Sequence, residues 1–518
     1  MELTRRAFVG NVSTALGIGM MSKYAGAFDM AAKLPAAHAL EIKAWQLQKG
    51  ILETKWTSQV KPDSVWAEYP RPMLARKDWI NLNGLWDYRV SGKSDARPSS
   101  YGGQILVPFP IESPLSGVMQ PLLPDQKLWY RRSVTTPDSW KGQRVLLHFG
   151  AVDWQSTIYI DGKEMGSHRG GYDGFSLDVT GAITPGTQHE IVVEVWDPSD
   201  TSWNLHGKQT LHPAGCSYTA SSGIWQTVWL EPVPQSYIER LVTAPDLQAK
   251  KLRLTVQGRI VPAAYTVRAV AKAAGKIVAD VSGTIGAELA SPEIQDNLVK
   301  FFKATNSWAA LELELPIKTP KLWSPDSPFL YDLTVILADS SGNILDTVES
   351  YFGMRSVKLG TDDQGYGRLF LNGEAVLLPG ALDQGFWPDG VYLAPTDDAL
   401  RYDIEWAKEL GLNTLRKHVK IECQRWYYWA DKLGILVFQD MPTGNCGDPQ
   451  TDRPTSPEAA DQWRTEVSNI IQEKYNHPSI VCWTPFNEAF GGFDYIRNAA
   501  WVKSMDSSRL INESSGVP

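Results

Sequence analysis

Apolar and polar residues alternate in short runs through the first two thirds of the chain, the period of half-buried strands. Lys251–Val256 (KLRLTV), Ala309–Leu315 and Tyr331–Leu337 (YDLTVIL) carry it most clearly. Arg144–Phe149, His189–Trp196 and Thr227–Leu230 read as further strands. Ser156–Ile160 and Lys163–Gly166 flank Asp161-Gly162, a two-residue turn signal because both positions need positive φ. Turn signals this frequent predict β-sandwiches. We expect an all-β sandwich over 66–234 and an immunoglobulin-like β-sandwich over 235–353, the second acting as a spacer.

The period then lengthens. Arg368–Pro379 predicts a hairpin about Asn372-Gly373, and strands and helices alternate after it. Thr396 caps a helix with Leu400, Ile404, Ala407 and Leu410 on one face, closed by Gly411. A strand over 413–419 follows, then a helix over 422–433 closed by Gly434, then a strand over 435–440. Pro457 opens a helix with Trp463, Val467, Ile470 and Ile471 in register, before strands over 479–484 and 510–513. Glu409–Arg416 and Lys432–Gln439 repeat one helix-end, glycine, strand junction. Repeated βα units with apolar strands predict a parallel sheet, here a partial (β/α) TIM barrel over 354–518 that ends near its fifth strand.

Charge and cysteine usage exclude several function classes. The net charge of -8 offers no basic face to nucleic acid or anionic lipid. Cys216, Cys423, Cys446 and Cys482 lack metal-ligand spacing and define no disulfide framework, so no metal and no cofactor are expected. Residues 1–39 have the order of an export signal: Arg5-Arg6, a mildly apolar run from Phe8 to Met21, and small-x-small cleavage patterns at Ala25-Gly26-Ala27 and Ala37-His38-Ala39. This resembles a bacterial twin-arginine signal and implies a periplasmic or extracellular protein. The run is too short for a membrane anchor. Residues 40–65 read as a linker.

Candidate chemistry gathers at strand ends. Val481–Gly492 (VCWTPFNEAFGG) climbs through apolar residues to Asn487-Glu488 and breaks into glycine. Carboxylates at the C-terminal ends of barrel strands read as catalytic, which marks Glu488. Trp483, Phe486 and Phe490 would give it an apolar wall, and such a wall disfavours a carboxyl group's charged form. A solvated loop glutamate fits the same residues. Arg416 and His418 share strand parity and emerge on one face. Asp383 and Asp440 end the first and third strands, where a substrate contact, strand-end capping or a loop salt bridge each fits a carboxylate. The rings of Trp86, Trp129, Trp154, Trp196, Trp203 and Trp225 could stack on sugar, but aromatics also dominate sandwich cores.

Together these segments resemble glycoside hydrolase family 2, the β-galactosidases, β-glucuronidases and β-mannosidases. The resemblance runs from about Trp66 to the end. It rests on domain order, which implies a sugar-binding jelly-roll β-sandwich over 66–234 before the immunoglobulin-like sandwich and the barrel, and on Trp79–Trp86 (WINLNGLW), Val152-Asp153-Trp154, Gly170-Gly171-Tyr172, Phe352-Gly353-Met354-Arg355, Leu415-Arg416-Lys417-His418, Phe438–Pro442 and Phe486-Asn487-Glu488. It implies a β-linked glycoside or oligosaccharide as substrate, Glu488 as acid/base, and Asn487 on the sugar's 2-hydroxyl. It also implies Arg416 as a partner of active-site carboxylates and His418 as a sugar contact. Arg-Lys-His-Val departs from the family's commoner Arg-x-Ser-His-Tyr, so a structural histidine fits His418 as well. The family's nucleophile is a glutamate at the seventh strand's end. The sequence stops at Pro518, and Glu513 matches no nucleophile motif. The expectation is therefore a retaining exo-β-glycosidase given as a truncated chain without its nucleophile, or else a non-catalytic carbohydrate-binding remnant.

Overall fold

The computed structural model describes residues 43–50, 52–261, 263–286, 308–448, 450–488 and 490–516. The expected export signal, with Arg5-Arg6, lies outside them. Among the described residues no helix is long and apolar enough to cross a membrane.

The first domain packs a four-stranded sheet on a six-stranded one, nearly all strand pairs antiparallel. Asp161 (φ +47°) and Gly162 (φ +83°) form the expected hairpin turn between Gln155–Ile160 and Lys163–Arg169. Trp86, Trp129, Trp154 and Trp225 are buried, while Trp196 and Trp203 are half-buried edge-on to Trp154. These rings build cores and leave no open stacking platform.

Residues 43–65, expected as a linker, are packed chain. The Trp45 indole donates to the Leu115 carbonyl (3.2 Å), and Trp56, Val60 and Val65 are buried in the core shared with the third domain. The Thr54 and Thr57 hydroxyls both donate to Asp389 Oδ2 at 2.6 Å. No strand or α-helix marks this run, yet Trp56 is buried in it.

The second domain is a sandwich of three- and four-stranded sheets, whose alternating strands put Leu252, Leu254 and Val256 on one inner face and Leu333, Val335 and Leu337 on the other. At its end Arg355 donates to the carbonyls of Pro478 (3.0 Å), Ile480 (2.8 Å) and Ser508 (3.1 Å). The Phe352–Arg355 motif thus clamps the start of a barrel strand.

The third domain carries a five-stranded parallel sheet. Its elements are β1 (Gly380–Asp383), α1 (Asp397–Glu409), β2 (Thr414–Lys417), α2 (Gln424–Leu433), β3 (Leu436–Asp440), α3 (Pro457–Lys474), β4 (Ile480–Thr484), α4 (Tyr495–Met505) and β5 (Leu510–Ile511). The expected Thr396 cap forms, accepting from the Ala399 amide, and Gly434 ends α2 at φ +79°; α3 starts at the expected Pro457, with Ser456 accepting from the Ala459 amide. The last strand is shorter than the predicted 510–513, and Glu513 is exposed. Beyond β4 and β5, Phe486–Asn487 pairs parallel with Ser514–Ser515.

The jelly roll docks on α3 through Gly170-Gly171-Tyr172. The Gly171 amide donates to Glu466 Oε2 (3.1 Å), and a Cβ on Gly171 would sit 2.4 Å from Asp153 Oδ1. Several carboxyls are buried around this joint. Burial pushes Glu112 and Glu466 each up to about 7, and Asp197 to about 6. A carboxyl with a raised folded pKa binds its proton more tightly when folded, so its penalty is full above that pKa and fades as pH falls. Glu112→Gln, which mimics the protonated acid, is expected to stabilise the protein at pH 8. That gain should shrink by about 1–2 kcal/mol by pH 5.5, at about 1.4 kcal/mol per pKa unit. Urea melts of both proteins at the two pH values check this.

Candidate active site

Asn487 lies just past β4, where the strand's inward parity brings its carboxamide over the sheet's C-terminal end. Three donors converge on its Oδ1: Arg416 Nη2 at 2.8 Å, His418 Nε2 at 2.9 Å and Ser515 Oγ at 3.0 Å. Arginine only donates, so the oxygen assignment is fixed, and His418 must carry its proton on Nε2. Nothing among the described residues is recorded as accepting from Asn487 Nδ2, which leaves the amide's two hydrogens for a ligand.

Arg416 is the hub. Its Nε lies 3.0 and 3.1 Å from the Asp440 carboxylate oxygens and its Nη2 2.8 Å from Oδ2, while Nη2 also meets Ser515 Oγ at 2.5 Å. The expected parity holds, since Arg416 and His418 both reach Asn487. Burial pushes the Asp440 carboxyl up, and the Arg416 guanidinium works against that. Burial also lowers His418, the Asn487 hydrogen bond opposing it, which favours the neutral ring; its Nδ1 is buried without a recorded partner.

Asp383 and Asp440 form ion pairs. Asp440 is fully buried under Arg416. Asp383 Oδ2 takes Lys417 Nζ at 2.8 Å, and Lys417 also meets Glu422 Oε1 at 2.6 Å. Lys420 lies 3.1 Å from the same Glu422 oxygen. Burial would lower Lys417, but Asp383 and Glu422 outweigh it and hold it above the ordinary lysine value. Strand parity sends Lys417 away from Arg416, so Asp383 belongs to this second cluster.

Glu488 is exposed, which corrects the expected apolar wall. Trp483 turns outward and donates to Asp506 Oδ2 (2.9 Å), and Phe486 stacks on Trp463 (centroids 4.8 Å apart). Both rings therefore serve the layer between sheet and helices, while Phe490 is itself exposed. Glu488 has φ +49°, and its amide donates to the Ser515 carbonyl (2.8 Å).

Jelly-roll residues form a rim. Tyr218 stacks on Phe386 (3.9 Å) past β1, and His206 meets Phe490 edge-on (6.1 Å) past β4. Sequence reasoning missed Ser515, Lys417, Lys420 and Glu422. Ser515 had one available signal: it follows β5 as Asn487 follows β4.

Three models of one family match in order. The family 2 glycosyl hydrolase sugar binding domain covers residues 79–234, the family 2 domain proper 236–355, and the family 2 TIM barrel domain 368–517. The chain belongs to glycosyl hydrolase family 2. A β-galactosidase of Thermoanaerobacter pseudethanolicus is 26% identical over 74% of this chain and 47% of its own length. A β-glucuronidase of Paenibacillus borealis is 24% identical over 81% of this chain and 69% of its own. The fold matches Bacteroides uniformis β-glucuronidase 2, solved covalently bound to cyclophellitol-6-carboxylate aziridine, with TM-score 0.65 and 24% identity over 84% of this chain and 52% of that one. The chain thus spans about half the length of the galactosidase and of the solved glucuronidase.

Proposed function

We propose that this chain supplies the acid/base half of a retaining exo-β-glycosidase site for a β-galactoside or β-glucuronide, the sugars named for its relatives. The observation that carries the reading is the convergence of Arg416, His418 and Ser515 on Asn487 Oδ1. It fixes the carboxamide with its N–H groups free to donate to a sugar hydroxyl, beside a glutamate open to the glycosidic oxygen. Glu488 is the acid/base in this reading, Asn487 holds the 2-hydroxyl, and Arg416 positions Asn487.

Retaining hydrolysis needs a second carboxylate about 5–5.5 Å from the first. Asp440 and Asp383 are tied to Arg416 and Lys417. We therefore assign the nucleophile to a carboxylate other than these two.

Its binding test is a cycle between Asn487→Ala and a 2-deoxy ligand. Methyl β-D-galactopyranoside should bind the wild-type mouth about fivefold more tightly than its 2-deoxy analogue does, as one hydrogen bond is worth about 1 kcal/mol. In Asn487→Ala the two ligands should bind alike. Calorimetry showing the same 2-deoxy loss in both proteins would sink the reading.

A further inference from the structure

The jelly roll sends one loop to the barrel mouth, and its anchors fix where that loop stands. The amides of His206 and Gly207 both donate to the Thr443 carbonyl just past β3, at 3.1 and 2.7 Å. A Cβ on Gly207 would sit 2.9 Å from the Val419 carbonyl, just past β2 and His418, so backbone meets backbone there. Gln209 is buried and donates to Asp153 Oδ2 (3.2 Å) and the Tyr172 hydroxyl (2.9 Å). The Tyr218 amide donates to the Lys208 carbonyl (2.8 Å), and the Tyr218 ring stacks on Phe386 past β1. The loop therefore faces the mouth from the ends of β1, β2 and β3, and Asn487 faces it from β4.

Lys208 lies between these anchors, half-buried. Its ammonium donates to the Cys216 carbonyl at 3.4 Å, longer than the roughly 2.7–3.2 Å of an ordinary N–H···O bond. Burial lowers the His418 pKa, and the Arg416 and Lys208 cations add to that, which sets the Lys208 charge near the ring bonded to Asn487. The other charges here are matched among themselves, Arg416 with Asp440, and Lys417 and Lys420 with Asp383 and Glu422. Asp200, at the loop's start, accepts from the Thr210 hydroxyl and the Leu211 amide. Among the described residues Lys208 forms no ion pair, and Glu488 in its acid form carries no charge. The mouth is left with one unmatched positive charge, opposite Asn487.

We propose that Lys208 reads a carboxylate on the sugar's C5 and makes the mouth selective for β-uronides over neutral β-hexosides. This rests on the glycosidase reading, in which Asn487 holds the 2-hydroxyl. C2 and C5 are opposite corners of a pyranose ring, so a sugar held at C2 from the β4 side turns its C5 substituent toward the loop. A hydroxymethyl group there leaves the ammonium without a counter-charge. A carboxylate supplies one, through charge-assisted hydrogen bonds stronger than those of a neutral hydroxyl. A lysine is a point charge on a flexible stem, so it serves a uronide of either C4 configuration.

The test is calorimetry on the 518-residue chain with two matched pairs, methyl β-D-glucuronide against methyl β-D-glucoside and methyl β-D-galacturonide against methyl β-D-galactoside. In the pair whose C4 configuration fits, the uronide should bind about tenfold more tightly, the low end for a hydrogen bond to a charged group. Lys208→Arg should keep that preference, and Lys208→Met, similar in length but uncharged, should abolish it. Asn487→Ala should weaken both members of the pair and leave their ratio unchanged. Hexoside binding that depends on Asn487 but shows no uronide preference, or a preference that survives Lys208→Met, would overturn Lys208 as the selector and leave the glycosidase reading standing. Uronide binding that Asn487→Ala does not touch, or that equimolar acetate displaces, would overturn it as an adventitious anion contact. If no sugar binds the wild type, both readings fall.

Discussion

Arg416→Ala is expected to destabilise the protein by about 3 kcal/mol at pH 7, the low end of the roughly 3–5 kcal/mol seen when one partner of a buried ion pair is removed. The low end applies because the Arg416 side chain is 29% exposed whereas Asp440 is fully buried. Its largest source is an uncompensated Asp440 carboxylate, and that source can be tested. Arg416→Ala with Asp440→Asn should recover most of the loss, since the amide leaves no buried charge. The single variant should also gain on the wild type as pH falls. Burial already raises Asp440, and removing Arg416 takes away the largest influence that opposes it. A raised folded pKa means that the folded state takes up the proton first, so the penalty fades below that pKa. Urea melts of the wild type and both variants at pH 7 and pH 5 decide it. A double variant no more stable than Arg416→Ala would show that Arg416 acts through packing.

Much of the site was legible because strand geometry is simple. The two-residue period places Arg416 and His418 on one face, and the break after Thr484 puts Asn487 at the strand's end. The start of α1 was equally clear, since Thr396 satisfies an amide that the helix itself cannot, and Pro457 marked the start of α3. The repeated Leu-Gly junctions marked α1–β2 and α2–β3.

What stayed hidden depends on contacts between distant segments. The sequence around Glu488 is aromatic, yet Phe486 belongs to Trp463 on α3 and Trp483 to Asp506. Apolar neighbours in sequence say nothing about which side of a strand end they occupy. Asp440 illustrates the same limit, for only the neighbouring strand shows that Arg416 covers it. The packed run 43–65 and the jelly-roll loop at the mouth are beyond any local pattern, because each is held by pieces far apart along the chain.

The exposure of Glu488 sharpens the test of its role. An exposed side chain away from any ion pair changes stability by less than about 0.5 kcal/mol when truncated. At φ +49° the backbone even favours glycine, so Glu488→Gly and Glu488→Ala should both fold as the wild type does. In a protein that holds both this chain and a nucleophilic carboxylate, either change should cost about 10²–10⁴-fold on a natural disaccharide, the usual worth of general acid catalysis. The poor leaving group makes that loss, because its departing oxygen needs a proton. A nitrophenyl leaving group does not, so glycosylation of the enzyme by an aryl glycoside should be far less affected, and deglycosylation becomes slow for want of a base. Azide, which needs no deprotonation, should then restore turnover and yield a β-glycosyl azide of retained configuration. Equal losses on both substrates, or azide without effect on the aryl glycoside, would remove Glu488 from the acid/base role and leave Asn487 and Arg416 as a binding site only.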